Sequence, residues 1–147
     1  MSLIDWERNG WLTPHRTSVN EVSDLLSVVH RDLIDSAAEI LSSDWRMNIA
    51  YNAALQAATA ALAIAGYRAS REQHHYRVIQ SLRETLRTDA KTINTFDAFR
   101  KKRNLLGYER IGLASDADAA AMRALAVSLR DDLMVWIRKH RPDLLEP

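Results

Sequence analysis

Nine alanines fall between Ala50 and Ala65, interrupted only by Tyr51, Asn52, Leu55, Gln56, Thr59, Leu62 and Ile64. Alanine favours the helix, but its side chain is too small to shield a neighbour from water at a distance. Such a helix is stabilised where other helices approach its backbone closely. The segment is therefore expected to be the central helix of a packed body, or a helix facing a second copy of the chain. A membrane span over 49–67 is the poorer reading. Asn52, Gln56 and Thr59 lie within it, and alanine contributes little to insertion, so a buried core helix and no membrane association are expected.

The remaining sequence supplies elements to cover that helix. Ser18-Val19-Asn20-Glu21 fits a capping box. It opens a stripe of Val22, Leu25, Leu26, Val29, Leu33, Ala37, Ile40 and Leu41, spaced by three and four. Ser43 is the expected N-cap of the alanine-rich helix, and Gly66 lies where a helix ends. Ser70-Arg71-Glu72-Gln73 offers a second capping box, followed by Tyr76, Ile79, Leu82 and Leu86 on one face. A fourth helix is expected from about Thr92, carrying Phe96 and Phe99, and it weakens at Gly107. The last begins at Ser115-Asp116-Ala117-Asp118, with acids suited to a helix N-terminus, and runs through Met122, Leu125, Leu129, Leu133, Trp136 and Ile137 to a stop at Pro142. No stretch alternates as a strand does. The expected fold is all-α: a single-domain, four- to five-helix up-and-down bundle over residues 17–141. An N-terminal arm, 1–16, precedes it, anchored by Trp6 and Trp11, and a tail, 142–147, follows.

Charge and composition narrow the function classes. A net charge of +1 gives no overall pull toward nucleic acid, so any such contact must be local. The chain has no cysteine, which removes disulfides, thiolate nucleophiles and cysteine-bound zinc together. That suits a cytoplasmic setting, as does an N-terminus with acids where a secretory signal carries bases. His74 and His75 are adjacent, so they point about 100° apart on a helix and are poorly placed to hold one metal. There is no paired histidine motif, glycine-rich phosphate loop or nucleophile elbow, and neither metal nor cofactor is expected.

The densest polar group is Arg100-Lys101-Lys102-Arg103-Asn104-Leu105-Leu106-Gly107-Tyr108. On a continuous helix Arg100, Asn104 and Tyr108 are spaced by four and share a face, with Arg103 beside them. Lys101 and Lys102 point elsewhere, as solvated bystanders. Arg100 and Arg103 have the fixed donors of a phosphate clamp, and Asn104 can orient a phosphate oxygen or a ribose hydroxyl. Tyr108 can donate a proton or stack on a base. Equally, a basic run toward a helix C-terminus is what the helix dipole favours in a merely solvated face.

Two blocks resemble the HEPN superfamily, small helical domains of prokaryotic systems that pair them with minimal nucleotidyltransferases. The first is Ala50 to Ala58, continuing through Ala65-Gly66-Tyr67 to His74-His75, similar to the family's alanine-rich second helix and following turn. The second, Arg103-Asn104-Leu105-Leu106-Gly107-Tyr108, resembles its signature of an arginine, a polar residue, three variable residues and a histidine. The resemblance spans roughly 18–140. It implies a homodimer, contact with RNA or a nucleotide, and a nucleotidyltransferase antitoxin as partner. It also implies metal-independent ribonuclease chemistry in which Arg103 stabilises phosphate charge, Asn104 positions the scissile group and position 108 moves the proton. Here position 108 is tyrosine. Tyrosine titrates near about 10 rather than about 6.5, so Tyr108 is a poor base at neutral pH, and binding with weak or absent cleavage is expected. A non-catalytic protein-interaction bundle is the alternative.

Overall fold

The computed structural model describes residues 1–108 and 112–146, with 106–108 described by their backbone alone. Six α-helices, two short strands and a 3₁₀ turn make up the described chain: α1 (Leu3–Arg8), β1 (Leu12–Pro14), α2 (Val19–Asp35), α3 (Ser43–Ile64), β2 (Tyr67–Ala69), α4 (His74–Ser81), α5 (Ala90–Tyr108), α6 (Asp116–His140) and the turn Pro142–Leu144. The all-helical bundle expected from the sequence is the fold found.

The alanine-rich helix is its axis. Ala50, Ala53, Ala54, Ala57, Ala58, Ala60 and Ala61 are all fully buried, enclosed chiefly by α2 and α6. Burial over most of its circumference, with Asn52, Gln56 and Thr59 half-buried on the remaining side, explains why its apolar residues show no single narrow stripe. It also decides between the two expectations: the small residues are used up inside one chain, which makes α3 central. Among the described residues no helix is long and apolar enough to cross a membrane.

Polar contacts fix the helix directions. Asn52 in α3 donates to Asp32 near the end of α2 (2.8 Å), and the short connection 36–42 turns the chain from the end of α2 into the start of α3, as antiparallel neighbours require. Arg46 at the start of α3 pairs with Asp116 at the start of α6 (2.7 Å), so those two run parallel. Lys102 near the end of α5 reaches Asp118 in the first turn of α6 (2.6 Å), which sets α5 antiparallel to α6. The four long helices thus alternate in the up-and-down sense. At Ser115 the capping box is complete, with the Asp118 amide and carboxylate both engaged. The Lys102 ammonium, together with the Ser115 backbone amide, holds the Asp118 carboxyl below its usual range.

Several boundaries differ from the sequence reading. Ser18 does cap α2, but the Glu21 side chain does not close the box; it accepts instead from Thr17 (2.6 Å) and lies 2.7 Å from His15 Nε2. Helix α2 stops at Asp35 and leaves Ile40 exposed, because nothing packs where the stripe would continue. Ser42, not Ser43, caps α3, while Ser43 donates to Asp116. The second predicted capping box does not form. Tyr67–Ala69 is extended, and α4 begins after Gln73, which has a left-handed backbone (φ 52°) and makes no side-chain cap.

The extended segment exists because of the arm. β2 pairs antiparallel with β1, with Leu12 opposite Ala69 and Pro14 opposite Tyr67. This two-stranded ribbon is a departure from the strandless reading, and three residues a strand are too few to show alternation. Gly66 turns into it with φ +101°, a conformation that side chains other than glycine adopt with difficulty. Trp6 is buried with its ring edge-on to Trp11 at 5.8 Å, and Leu12 enters the core. At the other end, Leu144 is buried against the bundle.

Close helix approach at α3 makes a specific demand on volume. Ala57→Leu inserts a branched side chain where no space exists, and a loss of about 1–3 kcal/mol or more is expected in urea denaturation. The exposed Lys101→Leu should move the midpoint far less.

Candidate functional site

Helix α5 brings the basic stretch against α3 and α4. Asp89 accepts from the Thr92 amide (2.8 Å) to start the helix, and Ile93, Phe96 and Phe99 bury one face. The opposite edge opens on a cleft of about 560 Å³ lined by Gln73, His74, His75, Tyr76, Asp97, Arg100, Lys101, Arg103 and Asn104. Three of the expected residues, Arg100, Arg103 and Asn104, are thus brought together. The helix continues through Gly107, so it does not break before Tyr108. The Tyr108 side chain lies outside the described residues.

The two arginines are held differently. Arg103 donates through Nε to the Asn48 side chain of α3 (2.8 Å), and its guanidinium lies over the Tyr51 ring at 5.1 Å. Among the described residues no carboxylate pairs with it. Arg100 donates to Asp97 (2.6 Å) and lies 5.5 Å from the Tyr76 ring. Its charge is largely answered within its own helix, so Arg103 is the stronger anion-binding group of the two.

The lysines also differ from the expectation of bystanders. Lys101 is exposed but lines the cleft and comes within 3.6 Å of Asp97. Lys102 is half-buried in its pair with Asp118, a contact that docks α5 on α6. Asp97 itself was readable in advance, since it precedes Arg100 by three residues and Lys101 by four.

Four groups at the site carry no motif of their own. Asn48 and Tyr51 are one turn apart on α3, facing α5. His75 and Tyr76 open α4. His75 places Nδ1 3.2 Å from the Tyr51 hydroxyl, and Tyr51 in turn packs edge-on against Phe96 at 5.5 Å. Sequence spacing alone gives His75 no place at this site; it argues only against a metal shared with His74. His74 instead points Nδ1 at the carbonyls of Ala69 (3.2 Å) and Ser70 (3.3 Å). Among the described residues no group of three or more metal-ligating side chains forms.

Electrostatics favour a neutral imidazole. Burial depresses the His75 pKa below its ordinary value, and the positive charges of Arg103, His74 when protonated, and Arg100 push the same way. Burial raises the Tyr51 phenol to about 12, so it keeps its proton at any physiological pH. The site therefore offers one guanidinium with no carboxylate partner among the described residues, one carboxylate-paired guanidinium, an exposed amide and a neutral ring. That set can bind and orient a phosphate without a metal.

No protein-family model, no characterised protein and no solved structure matches this chain.

A depressed histidine pKa links protonation to folding. Below about pH 6.5 the unfolded chain takes up a proton that folded His75 resists, so stability contributed by the neutral ring is present above that pH and lost as pH falls through the folded value. The expected result is that wild type loses more stability than His75→Gln between pH 7.5 and 5, measured by urea denaturation. Equal losses in the two proteins disprove the assignment.

Proposed function

We propose that this protein is an HEPN-like domain that binds RNA or a nucleotide through Arg103, with Arg100 and Asn104 beside it and weak or absent ribonuclease activity. The observation that carries this reading is the state of Arg103. Its Nε is fixed by Asn48 and its face rests on Tyr51, yet no described carboxylate neutralises it at the edge of an open cleft. A guanidinium oriented in this way loses little freedom on meeting a phosphate. The reading also takes in a homodimer, a nucleotidyltransferase antitoxin as partner and a cytoplasmic setting. Tyr108 keeps the role that its place in the Arg103-Asn104-x-x-x-Tyr108 motif implies, a hydrogen-bond donor rather than a base.

A second reading, a protein-interaction bundle with no nucleic-acid role, draws support from the pairs Arg100–Asp97 and Lys102–Asp118. These spend much of the basic stretch on the fold itself.

The two readings part at one substitution. Binding of a labelled single-stranded RNA, followed by fluorescence anisotropy at fixed salt, should weaken about tenfold or more in Arg103→Ala, the cost of losing charge-assisted hydrogen bonds to phosphate. Arg100→Ala should weaken it less. Unchanged affinity in Arg103→Ala favours the interaction bundle. Sedimentation at micromolar concentration should give a dimer, and a monomer there removes the HEPN-like assembly.

A further inference from the structure

The Tyr51–His75 contact determines which hydrogen-bonding character the cleft presents. Tyr51 is almost wholly buried, and among the described residues His75 Nδ1 is the one partner of its hydroxyl. A phenol that stays protonated has a hydrogen to place, and an imidazole nitrogen accepts it only when that nitrogen carries none. The neutral ring then bears its own hydrogen at Nε2. The reverse arrangement, Nδ1–H donating to the phenol oxygen, leaves the phenol hydrogen with no acceptor in the interior, which folded proteins rarely tolerate. With Nδ1 turned to Tyr51, Nε2 lies on the far side of a ring that lines the cleft.

We propose that His75 is a phosphate-binding residue: Tyr51 holds its neutral ring in the Nε2–H tautomer, and Nε2–H donates to a phosphate oxygen seated against Arg103. The inference rests on the RNA or nucleotide reading and deepens it, adding a donor on α4 to the cations on α5. It also gives the ring a definite chemistry. A histidine hydrogen-bonded in this way is a donor and not a proton acceptor, so the cleft binds phosphate rather than activating a ribose hydroxyl. Tyr51 is a positioning residue: its hydroxyl acts through His75, while its ring face, which Tyr51→Phe keeps, supports Arg103. The charged groups acting on the ring are Arg103 and Arg100 of α5 and His74 of α4, its hydroxyl partner is Tyr51 of α3, and Asp97 and Lys101 of α5 line the same cleft. The ligand's shared chemistry is a phosphate oxygen, from a phosphodiester or from a terminal monoester.

Nitrogen-15 NMR of the wild-type protein at pH 7.5 should show His75 protonated at Nε2 and bare at Nδ1. A ring protonated at Nδ1 overturns the proposal whatever the binding data. Binding is read with two probes, a short single-stranded RNA lacking terminal phosphates and inorganic phosphate. Affinity for the RNA alone assigns the site to phosphodiesters, and affinity for inorganic phosphate alone assigns it to monoesters. For whichever probe binds, His75→Phe should weaken binding about tenfold, and His75→Gln, whose amide still donates, should restore most of it. Tyr51→Phe should bring the Nδ1–H tautomer into the nitrogen-15 spectrum at pH 7.5 and weaken binding by up to about twofold, because a free ring divides between two tautomers. That effect should vanish at a pH where His75 is charged and Nε2–H is present regardless. If Arg103→Ala abolishes binding while His75→Phe matches wild type, this inference falls and the RNA or nucleotide reading stands. If wild type binds neither probe, both fall.

Discussion

The enclosure of α3 by α2 and α6 is the constraint on which everything else rests. An alanine helix contributes little apolar area per residue, so it stabilises a fold only if the backbones around it come close on every side. Once α3 is surrounded, its few larger side chains have fixed destinations. Tyr51 has nowhere to go but the seam with α4 and α5, where Phe96 meets its ring and His75 meets its hydroxyl. The cleft is thus built from the core outward: a buried aromatic residue carries a guanidinium on its face and an imidazole at its tip.

Electrostatics then sort the basic residues by task. Arg100 and Lys101 share the Asp97 carboxylate, and Lys102 joins α5 to the capped start of α6. Arg103 is set apart by its partner, an amide oxygen rather than a carboxylate, which orients the group and leaves its charge intact. A run that looks uniform in sequence is divided by its neighbours into residues paired with carboxylates and one, Arg103, with no such partner among the described residues.

Much of the fold was legible from the sequence. Helices α3 and α6, the caps at Ser18 and Ser115, and the central place of the alanine segment follow from propensity and spacing. The ribbon did not show, because three-residue strands carry no period and their pairing is a long-range event between residues 12–14 and 67–69. Ile40 misled because periodicity marks a face without saying where its partner ends. At the site, Arg100, Arg103 and Asn104 were found because they are close in sequence. Asn48, Tyr51 and His75 were not assigned to it, since they come from two other helices and nothing local ties them to the basic run.

The N-terminal arm reaches further than its size suggests. Ser70, just before α4, binds the Trp11 and Gly10 carbonyls, and the Arg77 guanidinium of α4 lies 3.8 Å over the Trp11 ring. Helix α4, which carries His75, is therefore tethered to the arm as well as packed on α3 and α5. The arm is made well before β2, its pairing partner, so it has no mooring until residues 67–69 have been added. A chain shortened at its N-terminus would keep the alanine axis and its two flanking helices while losing the tether on the helix that carries His75.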